Sequence, residues 1–459
     1  AHAYLEDIMG ISKGLMLGGA AAMLMASGSA FAADLPSRKA APVAYVKICD
    51  VYGRGFYYIP GTNTCLKVGG RVRFEAGWRQ AKNVAANFTG AVTGVGRKLD
   101  TLGWRSRAYV NMDARTQTSW GTVQTVFSVA IRSRSGIFNG SPQNTAGGQT
   151  TASPQVYAAY IRFAGFTFGR APDTFSNGPG YIFYWTNHAG GGAIGKMQLA
   201  YTAVFGGGFS ATLALEDKDE YANQRATFIT GGVTPNRLPN LVLTLRVDQG
   251  WGFLRASGAV GRNSNATAVV TREKTGWAIG ADAKINLPQL ARGDAIFFRA
   301  AYGDGLIEYV TGGNAINGSV AKDGRITGGW QHGLADVSST PGCAVAGPCT
   351  LQSWKAMSFM AAFTHYWTPG LRSNFAVSYL QVTPPQMEVA AGIGRSTSWQ
   401  ASSNLIWSPT SGFDIGLELY YAKIRNKTNS PAILANLAAG NVKQNPTDMA
   451  VKLRVQRTF

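Results

Sequence analysis

The sequence predicts an all-β protein, a transmembrane antiparallel β-barrel of about 16 strands, and three observations carry that expectation. Beyond the N-terminal region no window of about 18 apolar residues occurs in a chain that is 45% hydrophobic and 15% charged, which excludes membrane-spanning helices. Segments with period-two alternation recur to the last residue, each giving one oily and one wet face. Their connections alternate strictly between short and long, which a soluble sandwich has no reason to do and a barrel with tight turns at one rim and larger loops at the other does.

The chain opens on a leader rather than on the barrel. Lys13 supplies a basic start, Gly14 to Ala26 an apolar run too short to span a bilayer, and Ala30-Phe31-Ala32 an A-x-A cleavage signal. Residues 1–32 are therefore expected to be upstream residues and signal peptide, with the mature chain starting at Ala33. Residues 33–64 read as a periplasmic lead-in: Ala33 to Pro42 lacks periodicity, and Cys49 to Cys65 encloses V-Y-G-R-G-F-Y-Y-I-P-G-T-N-T, which Gly, Pro and Asn punctuate into turns.

Residues 65–459 are the expected barrel. In its first strand Leu66, Val68, Val72, Phe74, Ala76 and Trp78 alternate with Lys67, Arg71, Arg73 and Glu75. The same reading places strands near 65–78, 103–117, 120–134, 154–164, 166–170, 195–205, 207–216, 239–248, 251–262, 274–286, 294–303, 353–367, 370–381, 396–407, 412–423 and 448–459. The count is even, and closing the ring removes sheet edges whose unpaired groups cost several kcal/mol each in lipid. Trp78, Trp104, Trp120, Trp251, Trp277, Trp367 and Trp407 stand near strand ends, where interfacial girdles would need them. In the last strand Val451, Leu453, Val455 and Phe459 share one face and Lys452, Arg454, Gln456 and Thr458 the other. A final aromatic matches the signal read when outer-membrane barrels are inserted, so Phe459 is the expected barrel-closure signal.

Charge narrows the partners. The formal net charge is +19, and removing residues 1–32 takes away one lysine and two acids. The arginines are spread along strands instead of clustered, and an exported protein seldom meets nucleic acid, so lipopolysaccharide and anionic solutes are the expected counterparts. Four cysteines in an exported chain suit disulfides. Of three pairings, proximity favours Cys49 with Cys65 and Cys343 with Cys349. A zinc site is disfavoured because neither pair has finger spacing and His2, His188, His332 and His365 are scattered. Gly190 to Lys196, G-G-G-A-I-G-K, has the spacing of a phosphate loop, but Met197 replaces the Ser or Thr that would bind magnesium and no helix-forming segment follows. No metal, no cofactor and no catalytic residue is expected.

At Cys49 to Gly70 the chain reads C-D-V-Y-G-R-G-F-Y-Y-I-P-G-T-N-T-C-L-K-V-G-G, which resembles the general porins of alphaproteobacteria. Further likenesses are A-D-L-P-S-R-K-A-A-P at 33–42, A-Y-I-R-F-A-G-F-T-F-G-R at 159–170, K-I-N-L-P-Q-L-A-R-G-D at 284–294 and G-F-D-I-G-L-E-L-Y-Y at 412–421. The resemblance implies a sixteen-stranded barrel, a homotrimer, passive diffusion of small hydrophilic solutes, and a third outer loop folded inward. Here that loop follows Gly169-Arg170. Some barrels of this group with an Ala-Asp start are linked to peptidoglycan, which makes Ala33 a candidate attachment point. Such porins usually set acidic loop residues against a basic wall, yet only Asp173 is acidic within this insert, which leaves the wall less neutralised.

The pore-lining candidates are inward-phase residues of strands near the insert: Arg71, Arg73 and Glu75, then Arg107 and Arg115 with Asp113, then Arg132 and Arg162, joined by Asp173 and His188 from the loop. Charge on a low-dielectric wall concentrates its field on a permeating ion, so an arginine excess predicts a mild anion preference. The plainer account is that these arginines pair with Glu75, Asp113 or water in a polar lumen. His188 could make conductance pH-dependent, or be a solvated loop residue without consequence. The function expected is an outer-membrane diffusion channel. Its rivals are a lipid-hydrolysing barrel enzyme, for which no convincing Ser/His constellation is present, and a structural or adhesion barrel, suggested by the long loop at 304–352.

Overall fold

In the computed structural model of the protein, 16 strands pair antiparallel with their sequence neighbours and the last pairs with the first, so the sheet closes. The structure describes residues 47–80, 101–138, 150–176, 195–218, 238–264, 272–311, 337–339, 348–390, 393–428, 445 and 447–459. The expected leader, the candidate attachment point Ala33, His188, Cys343 and residues 190–194 of the glycine run lie outside them. The barrel strands are β1 (Thr64–Arg79), β2 (Leu102–Thr118), β3 (Gly121–Arg134), β4 (Thr150–Phe163), β5 (Phe166–Ala171), β6 (Lys196–Gly206), β7 (Phe209–Glu216), β8 (Asn240–Gln249), β9 (Gly252–Ser264), β10 (Glu273–Asn286), β11 (Ala295–Asp304), β12 (Lys355–Thr368), β13 (Leu371–Thr383), β14 (Ile393–Thr410), β15 (Phe413–Thr428) and β16 (Thr447–Thr458).

One rim carries the tight turns, at 119–120, 164–165, 207–208, 250–251, 369–370 and 411–412, with a longer link at 287–294. Ala164 and Gly165 both have positive φ (49° and 85°), the left-handed pair that lets a two-residue hairpin follow the strand twist. Every longer connection leaves from the opposite rim. Three strands run further than the apolar pattern indicates: β4 begins at Thr150, β14 at Ile393, and β15 reaches Thr428. The backbone ladder continues there in a polar stretch, past the point where lipid demands an oily outer face, so hydrophobic alternation stops before the hydrogen bonds do. A two-residue strand, Tyr57–Tyr58, also pairs with β1, and Val337–Ser339 pairs with Leu351–Ser353 inside a long connection.

Alternation sorts the side chains as the pleat requires. On β1, Val68, Val72, Phe74 and Trp78 are exposed on the outer face, while Arg79 and Glu75 are buried on the inner one. All seven tryptophans expected at the girdles are exposed. An eighth position, Trp354, is fully buried.

The inner face between β6 and β12 is built small, with Ala200, Ala214, Val242, Ala259, Ala278, Ala301 and Ala356 in one buried cluster. Against it pack Phe175, from the segment after β5, and Leu306, Ile307, Tyr309, Val310 and Trp354, from the connection between β11 and β12. The described start of the third loop thus turns inward, and a second loop does so as well. Close approach explains the glycines here: a Cβ on Gly276 would stand 2.3 Å from the Gly305 carbonyl oxygen, and one on Gly280 would stand 3.0 Å from the Phe175 ring.

The seam is finished by the last residue. The β16–β1 ladder runs from Ala450↔Arg79 to Thr458↔Arg71, and beyond it Gly70 and Phe459 exchange two backbone hydrogen bonds of 2.9 and 3.0 Å. A Cβ on Gly70 would meet the Tyr109 carbonyl oxygen at 2.4 Å and the Phe459 ring at 3.0 Å, so only glycine lets the terminal aromatic lie across the first strand. Deleting Phe459, or substituting Gly70→Val, should therefore lower the amount of folded barrel recovered from outer membranes. Wild-type recovery of both variants, read by heat-modifiable gel mobility, would contradict this role for the seam.

Candidate functional site

Strand register, more than any single residue, builds the site. Two successive rungs cross the lumenal face of β16, β1, β2 and β3: Gln456, Arg73, Arg107 and Arg132 on one, and Arg454, Glu75, Arg105 and Arg134 on the next. Directly opposed side chains stand roughly 5 Å apart at Cβ, and like charges in that relation destabilise a sheet. Six arginines and one glutamate on eight adjacent positions are thus a concentration of charge that folding alone would avoid.

Glu75 makes the arrangement tolerable. Its Oε2 accepts Arg105 Nε at 2.7 Å and Arg107 Nη2 at 2.9 Å, and its Oε1 accepts Arg454 Nε at 3.0 Å and Nη2 at 2.7 Å. Lys452 stands 4.0 Å from the same carboxylate and 3.4 Å from Glu418. Glu75 has no exposed side-chain surface, and the guanidiniums of Arg105, Arg107 and Arg454 that surround it are buried as well. One rung toward the tight-turn rim, the Tyr109 ring gives these cations a second neutral support. Arg71 Cζ lies 4.0 Å from its centroid, with Arg107 at 5.9 Å and Arg73 at 6.0 Å. Arg73 Nε also donates to Gln456 Oε1 at 2.7 Å.

The expected lining residues divide into groups. Arg71, Arg73, Glu75, Arg107 and Arg132 come together on this wall. Asp113 and Arg115 lie nearer the tight-turn rim, where Arg115 donates Nε and Nη2 to the two Asp113 oxygens at 3.0 and 2.7 Å. Arg115 also covers Phe56 and Tyr52, at 5.0 and 5.5 Å from their centroids, beneath the loop closed by Cys49–Cys65. That disulfide matches the expected pairing. Cys349 is also disulfide-bonded, while its expected partner Cys343 lies outside the described residues. Arg162 is exposed near the same rim, 4.8 Å from the Tyr160 ring.

Asp173 is not an open wall acid. It is buried, its Oδ1 accepting the Phe175 N–H at 2.8 Å and its Oδ2 accepting the Ser176 hydroxyl at 2.7 Å, so it closes a turn at the loop's start. Arg105 and Arg134 escaped the sequence reading, and Arg454, placed on the wet face of the last strand, was not counted among the pore candidates, although Arg105 and Arg454 share the inward phase of Arg107 and Lys452. The missing information was register, which decides that β2 and β16 both bring arginines to Glu75.

A second buried polar cluster lies where the inward loops meet β6–β8. Lys196 Nζ is 3.2 Å from Glu308 and 3.6 Å from Glu216, and Tyr309 donates its hydroxyl to Glu216 Oε2 at 2.9 Å. Burial pushes the Tyr309 phenol above its usual range, with Glu216 acting the same way, so it keeps the proton it donates. Lys196 is therefore engaged by carboxylates, and the phosphate-loop reading of its glycine run is not favoured.

The model described as porin subfamily matches residues 34–452. Porin Omp2a of Brucella ovis is 31% identical over 255 residues, covering 53% of this chain and 68% of its own length. Porin Omp2b of Brucella canis is 31% identical over 249 residues, covering 53% and 64%. The chain thus spans about two thirds of the length of these relatives. Among solved structures, the outer membrane channel DcaP of Acinetobacter baumannii superposes with a TM-score of 0.60 at 18% identity, covering 88% of this chain and 99% of that one, a likeness of fold.

Removing the Glu75 charge tests the wall directly. Glu75→Gln leaves Arg105, Arg107 and Arg454 around a neutral amide, and breaking a buried charge pair in this way should cost roughly 3–5 kcal/mol. Urea unfolding from lipid vesicles should show that loss, and an unchanged midpoint and slope would refute the central place given to Glu75.

Proposed function

We propose, from the premise that the chain belongs to the porin subfamily, that it forms a water-filled outer-membrane channel for passive diffusion of small hydrophilic solutes and ions, with a mild preference for anions. The family and the relatives point to a channel rather than an enzyme. The observation carrying the preference is the pair of rungs with six arginines around one glutamate. A fixed positive wall raises the local concentration of anions in a narrow aqueous path and lowers that of cations. Arg71, Arg73, Arg107 and Arg132 act as wall charges, and Asp113, Arg115 and Arg162 as charges nearer the tight-turn mouth. Size and charge then do the sorting, with no bound cofactor required. The channel works as a homotrimer, for which the apolar outer wall offers contact area, in contact with outer-membrane lipid and lipopolysaccharide.

The experiment is the zero-current potential of the reconstituted protein across a potassium chloride gradient. Its sign should report chloride as the more permeant ion, and the double substitution Arg71→Ala, Arg73→Ala should move it toward zero. Raising salt should shrink the preference, because a fixed charge is felt over only about 8 Å at physiological ionic strength. A cation-selective wild-type channel would overturn the sign, and an unaltered potential in the double variant would remove these two arginines from the account.

A further inference from the structure

The connection between β11 and β12 leaves the wall at Gly305 and makes a one-turn helix, Glu308–Thr311, in which all four residues are buried. Leu306 and Ile307 before it have no exposed surface. This segment lies on the alanine-floored inner wall, where five barrel side chains satisfy loop carbonyls. Asn263 donates to Gly305 O at 2.6 Å, Arg299 to Tyr309 O at 3.0 Å and Ser358 to Val310 O at 2.8 Å. Gln198 and Thr244 do the same for the third loop, donating to Pro172 O at 2.8 Å and Thr174 O at 3.0 Å.

The two loops are joined to each other as well as to the wall. Glu216 accepts Thr174 Oγ1 at 2.5 Å on one oxygen and Tyr309 Oη at 2.9 Å on the other. Phe175 and Tyr309 rings meet at 4.8 Å. Lys196 sits 4.0 Å from the Tyr309 ring centroid and 3.2 Å from Glu308, whose Oε1 also accepts Asn240 Nδ2 at 3.0 Å. Burying a lysine and two glutamates is costly unless each is paired: Lys196 and Glu216 pair within the wall at 3.6 Å, and Glu308 meets Lys196 only while its loop is seated.

We propose that Lys196, Glu216, Glu308 and Tyr309 are positioning residues of the pore, a latch that makes the third and sixth outer loops one insert and so sets the width and steadiness of the channel. This rests on the channel reading. Lys196 and Glu216 belong to the rigid wall, and Glu308 and Tyr309 to the moving part, so breaking the latch frees the insert without opening the strand ladder. The sixth loop then determines specificity even though its helix touches no solute, because it fixes the third loop through Phe175 and Glu216.

The test compares wild type, Glu308→Gln, Tyr309→Phe and the conservative Glu308→Asp in planar bilayers. Hydrogen exchange of the Val310 and Thr311 amides is followed in detergent, and folded barrel is monitored by heat-modifiable mobility. The expected result is a steady single-channel level in wild type and a higher mean conductance with added open-channel noise in Glu308→Gln. Tyr309→Phe should show the same change to a smaller degree, and Glu308→Asp, which keeps the charge, should retain part of the steady level. Amide protection should fall in the noisy variants with barrel mobility unchanged. If Glu308→Gln fails to fold, Tyr309→Phe, which removes one hydroxyl, still decides the matter. Glu308→Gln and Tyr309→Phe with wild-type conductance, noise and exchange would overturn the latch. A wild type that does not conduct would overturn the channel reading, while loss of amide protection in the variants would still support the latch as a loop anchor.

Discussion

Closure of the last strand on the first is the constraint from which the rest follows, and Glu75 is where its polar and structural demands meet. In lipid an open sheet edge would leave backbone groups without partners, so the β16–β1 ladder must form. The same ladder sets Arg454 beside Glu75, and the β1–β2 register sets Arg105 there too. One buried carboxylate thereby ties together three strands on both sides of the seam. Its own charge is outnumbered by the guanidiniums it holds, so the interaction that stabilises closure also leaves the lumenal wall positive.

Half the ring away, around β9 and β10, the logic is reversed. There the inner face carries, beside the buried Arg255–Asp282–Arg299 group, a run of alanine and glycine, which contribute little hydrophobic area by themselves but let other elements lie close. The gain comes from what they admit: Phe175, Leu306, Ile307, Tyr309, Val310 and Trp354 fill the space against the wall. A small-residue floor under large loop side chains lets the described parts of two connections, 172–176 and 305–311, pack against the wall. The two sides of the ring thus differ: the seam strands concentrate arginines around one carboxylate, while the opposite wall combines small residues, paired charges and packed loop side chains.

Much of the barrel was legible in the sequence because period-two alternation and turn residues are local signals. β1, β3 and β5 begin or end within a residue or so of their expected limits, Ala164-Gly165 marks its turn directly, and the turn expected at Thr118-Ser119 falls one residue later, at Ser119-Trp120. The ends of β14 and β15 were harder, since outside the membrane a ladder needs no oily face. The site was only partly legible. Phase alone finds Arg71, Arg73, Glu75 and Arg107 on the inner face, but it cannot say which strands place their arginines on the same rung, so Arg105 and Arg134 were missed and Arg454, though read as facing inward, was not joined to the wall. Asp173 was misjudged for a related reason: a carboxylate two residues before a free N–H can close its own turn instead of facing a pore. The Lys196–Glu308 pair is 112 residues apart in sequence and carried no local signal at all.

The central claim is that a water-filled lumen runs past a positive wall formed by the seam strands. Asn111, an exposed inward residue of β2 two positions from Tyr109, allows a direct measurement. Among the described residues no native cysteine is free, so Asn111→Cys would offer a single reporter in the membrane-embedded protein. Its reaction rates with small anionic and cationic methanethiosulfonates should be compared at low and high salt. The account predicts that both reagents reach the thiol from water, that the anionic one reacts faster, and that its advantage shrinks as salt rises. No reaction with either reagent, or a faster cationic one, would contradict it.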